Sequence, residues 1–287
     1  MIETVQTARE YQYDWQNPKY IKPEFNFGRV LSRAYKGLFS IWKPVGLAIL
    51  CTIGLNIILG LVSLGLTGHT SLDATGTSAS ASAEAAAMLL TIPLTVLSYV
   101  FVMIVTDAGL FAKVTDQPVR FSQLARKALR KSIPLFFGLI LFFIAYYIGV
   151  LLFIVPGIFI YYGWGIFGPV YVNEAGGLFA SFGRSWTLMK GYKRWHFLVS
   201  FVCGMINSIV ILVLFFITFL PFAPFLDFAT GEFDTANMMI LLFASVLITV
   251  SFYLYACLTA SMTTAIYLEV KALKEGAGHD NLAEVFA

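Results

Sequence analysis

Apolar residues in this chain fall into long unbroken runs, near residues 44–66, 88–111, 133–153, 157–173, 196–220 and 238–268. A helix crossing a hydrocarbon core of about 30 Å needs roughly 20 apolar residues, so each run predicts one membrane-spanning helix. The third and fourth runs merge into a stretch from Ile133 to Val172 that is too long for one crossing. Pro156 and Gly157 divide it, because Pro lacks an N–H and Gly admits a turn, which predicts a tight helical hairpin reversing at those two residues. The last run exceeds a span and is expected to tilt or to project beyond the membrane. The predicted fold is all-α and polytopic: a tail over 1–24, a six-span domain over 25–275 and a second tail over 276–287.

The polar positions give this bundle a direction. Segments 1–43, 112–132, 174–195 and 269–287 hold all 19 Lys and Arg, and the alternate connections 67–87, 154–156 and 221–237 hold none. Cytoplasmic loops carry the Lys/Arg excess, so both termini are expected in the cytoplasm. The Ser/Ala/Thr/Gly-rich outer loop 67–87 cannot bury a core and is expected to be mobile. Before each odd-numbered span the pattern turns amphipathic. Phe27, Val30, Leu31, Ala34 and Leu38 share a face opposite Arg29, Arg33 and Lys36. Phe121, Leu124 and Ala128 oppose Arg126, Lys127, Arg130 and Lys131, and Phe179, Phe182 and Trp186 oppose Arg184, Lys190, Lys193 and Arg194. Such basic amphipathic helices are expected to lie in the interface, with Arg29, Arg33, Lys36, Lys127, Arg130, Lys190, Lys193 and Arg194 toward anionic lipid headgroups. Phe27-Gly28-Arg29 recurs as Phe182-Gly183-Arg184, and Asp116, Phe121 and Arg126 repeat the spacing of Glu174, Phe179 and Arg184. The chain thus reads as three copies of interfacial helix, span, outer turn and span.

Composition narrows the functional classes. Hydrophobic residues make up 59% of the chain and charged residues 12%, against about 25% charged in a soluble domain, which excludes an ordinary water-soluble enzyme. A net charge of +3, spread along the chain, argues against a nucleic-acid partner. Cys51, Cys203 and Cys257 all fall in apolar runs and read as packing residues. No cleavable leader or lipidation motif is legible, so the first run is expected to act as an uncleaved signal anchor. The aromatic tail with Tyr11, Tyr13, Trp15 and Tyr20 reads either as a strap along the membrane or a partner, or as a partly ordered tail.

Catalytic patterns are sparse. Gly163-Trp-Gly165-Ile-Phe-Gly168 matches a dinucleotide fingerprint but sits mid-span without a preceding strand, so its glycines read as sites of close approach. Ser40 and Lys43 have the S-x-x-K spacing of acyl enzymes without companion motifs. His69, His196 and His279 form no ligand pair. No metal, cofactor or catalytic group is expected. The remaining candidates form a polar network of Asp107, Glu174, Glu269, Arg184 and Arg126 near span ends. Glu174 and Glu269 read chiefly as partners of neighbouring cations, whereas Asp107, deeper in its span, stands equally as a structural group and as a proton or solute ligand. Asn56 and Asn207 read as inter-helix hydrogen bonders. Ser200, Gly204 and Ser208, with Ala256, Ala260 and Thr264, form small-residue rows expected to pack spans five and six together.

Three stretches carry a resemblance: Leu152 to Phe159 with Trp164, Pro169 and Glu174; Ala180 to Gly191; and Tyr267 to Gly276. Together they resemble the bacterial six-span membrane domains typified by YciC-like proteins, and the membrane domain fused to some glycerophosphoryl diester phosphodiesterases. The resemblance implies a bacterial inner-membrane location and the same architecture over roughly residues 25–280. No phosphodiesterase domain is attached, so that activity does not carry over. The expected function is a non-catalytic scaffold or accessory subunit whose partners are anionic lipids and other membrane subunits. The alternative is a transporter or lipid-translocating protein that uses a membrane carboxylate.

Overall fold

The structure, a computed structural model, describes residues 25–68, 79–219 and 235–275. Helices in chain order are α1 (Phe27–Ser40), α2 (Trp42–Gly68), α3 (Ala79–Val114), α4 (Phe121–Leu152), α5 (Ile154–Trp164), α6 (Phe167–Asn173), α7 (Leu178–Met189), α8 (Lys193–Phe219) and α9 (Thr235–Glu275). No strand occurs among the described residues. Six stretches are long and apolar enough to cross a membrane: Trp42–Val62, Ala85–Val114, Phe121–Leu152, Ile154–Asn173, Lys193–Leu214 and Val246–Glu275. The chain is a multi-pass, all-helical membrane protein.

Local chemistry explains the helix ends. Asn26 caps α1 by accepting the Arg29 N–H at 3.0 Å, and Val30 and Ala34 turn its apolar face into the bundle. Pro44 occupies the first turn of α2, where its missing N–H costs no intrahelical bond. The Ala-rich sequence 79–87 is already helical as the start of α3, although it falls in the loop expected to be mobile. Alanine has the highest helix propensity, and no glycine or proline interrupts it there.

The hairpin between the third and fourth spans exists, but its turn is displaced from Pro156-Gly157. The chain reverses at the extended Phe153 (φ −162°, ψ 142°), which ends α4 and begins α5. Pro156 lies in the first turn of α5, the position where a helix tolerates proline. Gly157 is the contact point of the hairpin. A Cβ there would stand 2.8 Å from the Val150 backbone nitrogen, and one on Gly149 would stand 2.9 Å from the Gly157 Cα.

Two other departures shape the site. Residues 121–132 do not form a separate interfacial helix; α4 runs without a break from Phe121 through Pro134 to Leu152. The fourth span is itself broken at Gly165-Ile166 into α5 and α6. Two apolar cores result. One joins α2, α3, α4 and α6 around Val105, Leu135, Phe167 and Tyr253; the other joins α1, α6, α7, α8 and α9 around Val30, Leu188, Val199 and Ile266. The long helix α9 enters both, presenting Tyr253 and Cys257 to the first and Met262 to Val270 to the second.

Candidate functional site

Nearly all the chemistry lies at one end of the bundle, where α1, the start of α4, α7 and the ends of α6 and α9 meet. Glu269, only 1% exposed, is gripped by α1: Arg29 donates to Oε1 from Nε at 3.1 Å, and Arg33 Nη1 donates to Oε2 at 3.2 Å. The Asn26 backbone N–H adds a third donor at 3.3 Å. Glu174, just past α6, accepts from Arg184 Nε at 3.0 Å, from the Tyr267 hydroxyl at 3.0 Å and from Lys271 Nζ at 3.1 Å. Arg184 also pairs with Glu275, and Lys274 donates to the Thr187 carbonyl. Burial alone would push the Glu174 carboxyl up, but Arg184, Lys271 and Tyr267 outweigh it and hold it below its ordinary value. The same partners hold the Arg184 guanidinium above its ordinary value despite partial burial. The two span-end glutamates thus clamp α1 and α7 onto α9.

Asp107 stands apart from this collar. It lies seven residues before the end of α3 and is 1% exposed. Thr264 of α9 donates to Oδ1 at 2.6 Å, while the buried Oδ2 has no hydrogen-bond partner among the described residues. That oxygen faces the backbone of α6, since a Cβ on Gly168 would come within 3.9 Å of it. Asp107 therefore sits beside the broken fourth span. The last turn of α5 leaves carbonyls without intrahelical partners, and side chains meet them: Ser185 Oγ donates to the Gly163 carbonyl at 3.0 Å. His196, 2% exposed, stands 3.2 Å from the Tyr162 carbonyl through Nδ1, which must carry the proton because a carbonyl only accepts. Gly163 and Gly165 admit the rings: an added Cβ would lie 2.3 Å from Trp186 and 2.1 Å from His196 respectively. Non-helical backbone at membrane depth survives only where protein groups satisfy it in this way.

A third feature is a cleft of about 560 Å³ between the start of α4 and the end of α6. Arg126, Lys127, Arg130 and Lys131 line it, with Ser122 and Tyr171. Lys131 Nζ donates to the Tyr171 and Val172 carbonyls at 2.6 and 3.0 Å, and Lys127 Nζ donates to Asn173 Oδ1 at 3.2 Å. These two lysines cap the negative end of α6. Arg126 and Arg130 are exposed and make no ion pair among the described residues. Arg126 follows Asp116 at the spacing by which Arg184 follows its partner Glu174, yet no ion pair joins Arg126 to Asp116. Arg126 is thereby separated from the network in which the sequence places it.

Among the expected headgroup contacts, Lys36, Lys190 and Arg194 are exposed, while Arg29 and Arg33 hold Glu269. Lys193 lies 3.3 Å above the Trp186 ring. Asn56 is an inter-helix bonder: it donates to the Tyr253 hydroxyl at 2.7 Å and accepts from Thr95 at 3.1 Å. Asn207 accepts from Tyr35 at 3.0 Å. The small-residue row of span six is buried at Ala256, Ala260 and Thr264, but Thr264 meets Asp107 of α3. The row of span five does not form the seam. Gly204 has open space at its Cβ position, and Val199, Cys203 and Asn207 are buried instead. In span five the larger side chains fit the groove; Ser208 is left exposed, while the Ser200 hydroxyl is buried. Ser40 donates to the Gly37 carbonyl at 2.6 Å, and Lys43 lies 5.9 Å from the Trp42 ring centre. Among the described residues no group of three or more His, Cys, Asp or Glu could hold a metal ion. The aromatic tail, His69, His279, the centre of the loop 67–87 and most of 221–237 lie outside the described residues. Sequence reasoning did not single out Tyr267, Lys271, Ser185 or His196 as part of these contacts. Tyr267, Lys271 and Ser185 fall in the stretches that carry the family resemblance, and His196 is a polar residue at the start of an apolar run, but nothing in the sequence points to their partners.

Compared with protein-family models, with curated proteins and with solved structures, this chain has no match.

Proposed function

We propose that this chain is a non-catalytic scaffold or accessory subunit of a bacterial inner-membrane complex, with both termini cytoplasmic and its basic end at the lipid headgroups. The observation that carries this reading is the saturation of Glu174 and Glu269 by cations of α1, α7 and α9. Carboxylates held by several donors each are suited to fixing helices in place, and less suited to picking up and releasing a ligand. The collar gives a braced platform whose remaining exposed cations, Lys36, Lys190 and Arg194, face anionic headgroups. The threefold pattern of the sequence and its resemblance to YciC-like proteins support the same reading. Purification in gentle detergent from the native membrane, read by native mass spectrometry, tests it. A stoichiometric protein partner is expected, and a chain that always emerges alone overturns the accessory role.

One observation favours transport as a second reading. Asp107 Oδ2 is buried without a hydrogen-bond partner among the described residues, beside a broken span, and a buried, unsatisfied oxygen at membrane depth is costly unless it has a use. Proteoliposomes under an imposed pH gradient, followed with an internal pH dye, test this directly. Proton flux lost in Asp107→Asn with normal assembly supports transport; identical flux in both proteins rules Asp107 out of it.

A further inference from the structure

Several cations at the basic end meet carboxylates of this chain. Arg29 and Arg33 meet Glu269; Arg184 and Lys271 meet Glu174; Arg184 also meets Glu275. The cleft at the start of α4 is different. Its lining carries four cations and no acid. Arg126 and Arg130 stand one turn apart, as do Lys127 and Lys131, so each pair repels itself at i,i+4. The lysines donate hydrogen bonds only to neutral oxygens, Lys127 alone feels the charge of a carboxylate, that of the buried Asp107, and the arginines pair with no acid among the described residues. Four clustered cations with one buried carboxylate nearby leave an excess of positive charge that an anion from outside would relieve.

The donors specify the anion. Two guanidinium forks, the Ser122 hydroxyl and the Tyr171 phenol are groups that pair with phosphate oxygens, and an arginine fork can bond two of them at once. A single phosphate would not fill about 560 Å³, so the anion has room to carry an organic group. The helix surface then indicates what kind. Arg126 and Arg130 lie on the face of α4 that continues, at i+3 and i+4 steps, through Leu129, Ile133 and Phe137, which are 68%, 57% and 59% exposed. A ligand anchored on the arginines can lay an apolar chain down that stripe. We infer that the cleft between α4 and α6 is a specific binding site for the phosphate headgroup of an anionic phospholipid, with Arg126 and Arg130 as its main ligands and the Leu129–Ile133–Phe137 stripe as its acyl-chain contact. This rests on the reading that the basic end lies at headgroup depth.

The full-length chain, purified in non-ionic detergent, is titrated with phosphatidic acid, with phosphatidylcholine and, separately, with inorganic phosphate. Thermal unfolding midpoints and retained lipid by native mass spectrometry are the readouts. On the wild-type chain phosphatidic acid is expected to bind at least about tenfold more tightly than phosphatidylcholine and to be retained one per chain. Removing both forks in Arg126→Gln/Arg130→Gln should weaken it by at least about tenfold, given the strength of hydrogen bonds to charged groups. Lys43→Gln/Lys113→Gln removes the same charge from exposed positions outside the cleft and should change binding by less than about twofold. Equal weakening in both double variants means diffuse attraction to the basic end and overturns a specific site. No preference for phosphatidic acid in the wild type overturns it independently of how the variants fold. Protection by inorganic phosphate equal to that by the lipid overturns the lipid assignment in favour of a soluble phosphate. A bound acidic protein lost only from the arginine variant, with no lipid retained by the wild type, overturns it in favour of a protein ligand. Lipid binding is scored on the isolated chain and the accessory role on co-purified protein, so each can fail without the other.

Discussion

Removing either side of the Glu269 cluster gives unequal costs, and the structure says which is larger. The Arg29 and Arg33 side chains are 30% and 21% exposed, whereas Glu269 is 1% exposed. Glu269→Gln leaves two guanidiniums that water can reach. It also places an amide N–H₂ where both carboxylate oxygens now accept, so at least one donor faces another donor. Losing a charge-assisted bond on partly wetted partners costs about 2 kcal/mol. Arg29→Gln/Arg33→Gln instead strands a carboxylate in a site closed to water, which costs about 3–5 kcal/mol. Combining all three changes removes the stranded charge and should recover most of that loss. Denaturant unfolding of the purified protein in micelles, followed by tryptophan fluorescence, measures all four proteins. The reasoning is refuted if Glu269→Gln costs as much as the double arginine variant, or if every variant stays within about 0.5 kcal/mol of wild type.

Other expectations follow from single contacts. Glu174 is held below its ordinary value of 4.5, so its ion pairs contribute fully above that pH and are lost as pH falls through the lower folded value. Stability measured from pH 6 downward should therefore drop in wild type, and less steeply in Glu174→Gln. Gly157→Ala drives a methyl to 2.8 Å from the Val150 backbone nitrogen, which no rotamer change relieves. It should cost about 1–3 kcal/mol in the same unfolding assay. Gly204→Ala meets nothing within 4 Å among the described residues and should be neutral or stabilising by up to about 1 kcal/mol. Tyr253→Phe deletes the hydroxyl that joins Asn56 to Ser98, at 2.7 and 2.5 Å. About 1 kcal/mol of stability should go with it, and an unchanged midpoint would mean that Asn56 finds another partner.

The six spans were legible because backbone groups in hydrocarbon must bond within their own helix, which forces uninterrupted apolar runs of a length set by the membrane. Pairing of the span-end glutamates with cations was also legible, since Arg29, Arg33 and Arg184 lie close to span ends and opposite charges in that setting pair. The hairpin turn was misplaced by three residues because Pro156 is as acceptable in a first helical turn as in a loop. The interruption at Gly165-Ile166 had no sequence signal beyond two glycines, since Ser185 and His196, which satisfy the exposed carbonyls, are distant in the chain.

Sequence by itself determined that the protein spans a membrane, how many helices do so, and at which end of the bundle the cations collect. Those properties depend on what each residue costs in lipid or in water, which is local information. Tertiary structure alone decided which face of each span is a contact: in span five, Val199, Cys203 and Asn207 rather than Gly204 and Ser208. It alone decided that Asp107 keeps one oxygen unpartnered among the described residues and that Arg126 is separated from Asp116 to line a cleft with no acid in its lining. Lipid and a neighbouring helix are almost equally apolar, so a span's sequence barely distinguishes its lipid face from its protein face, and only the packed helices do.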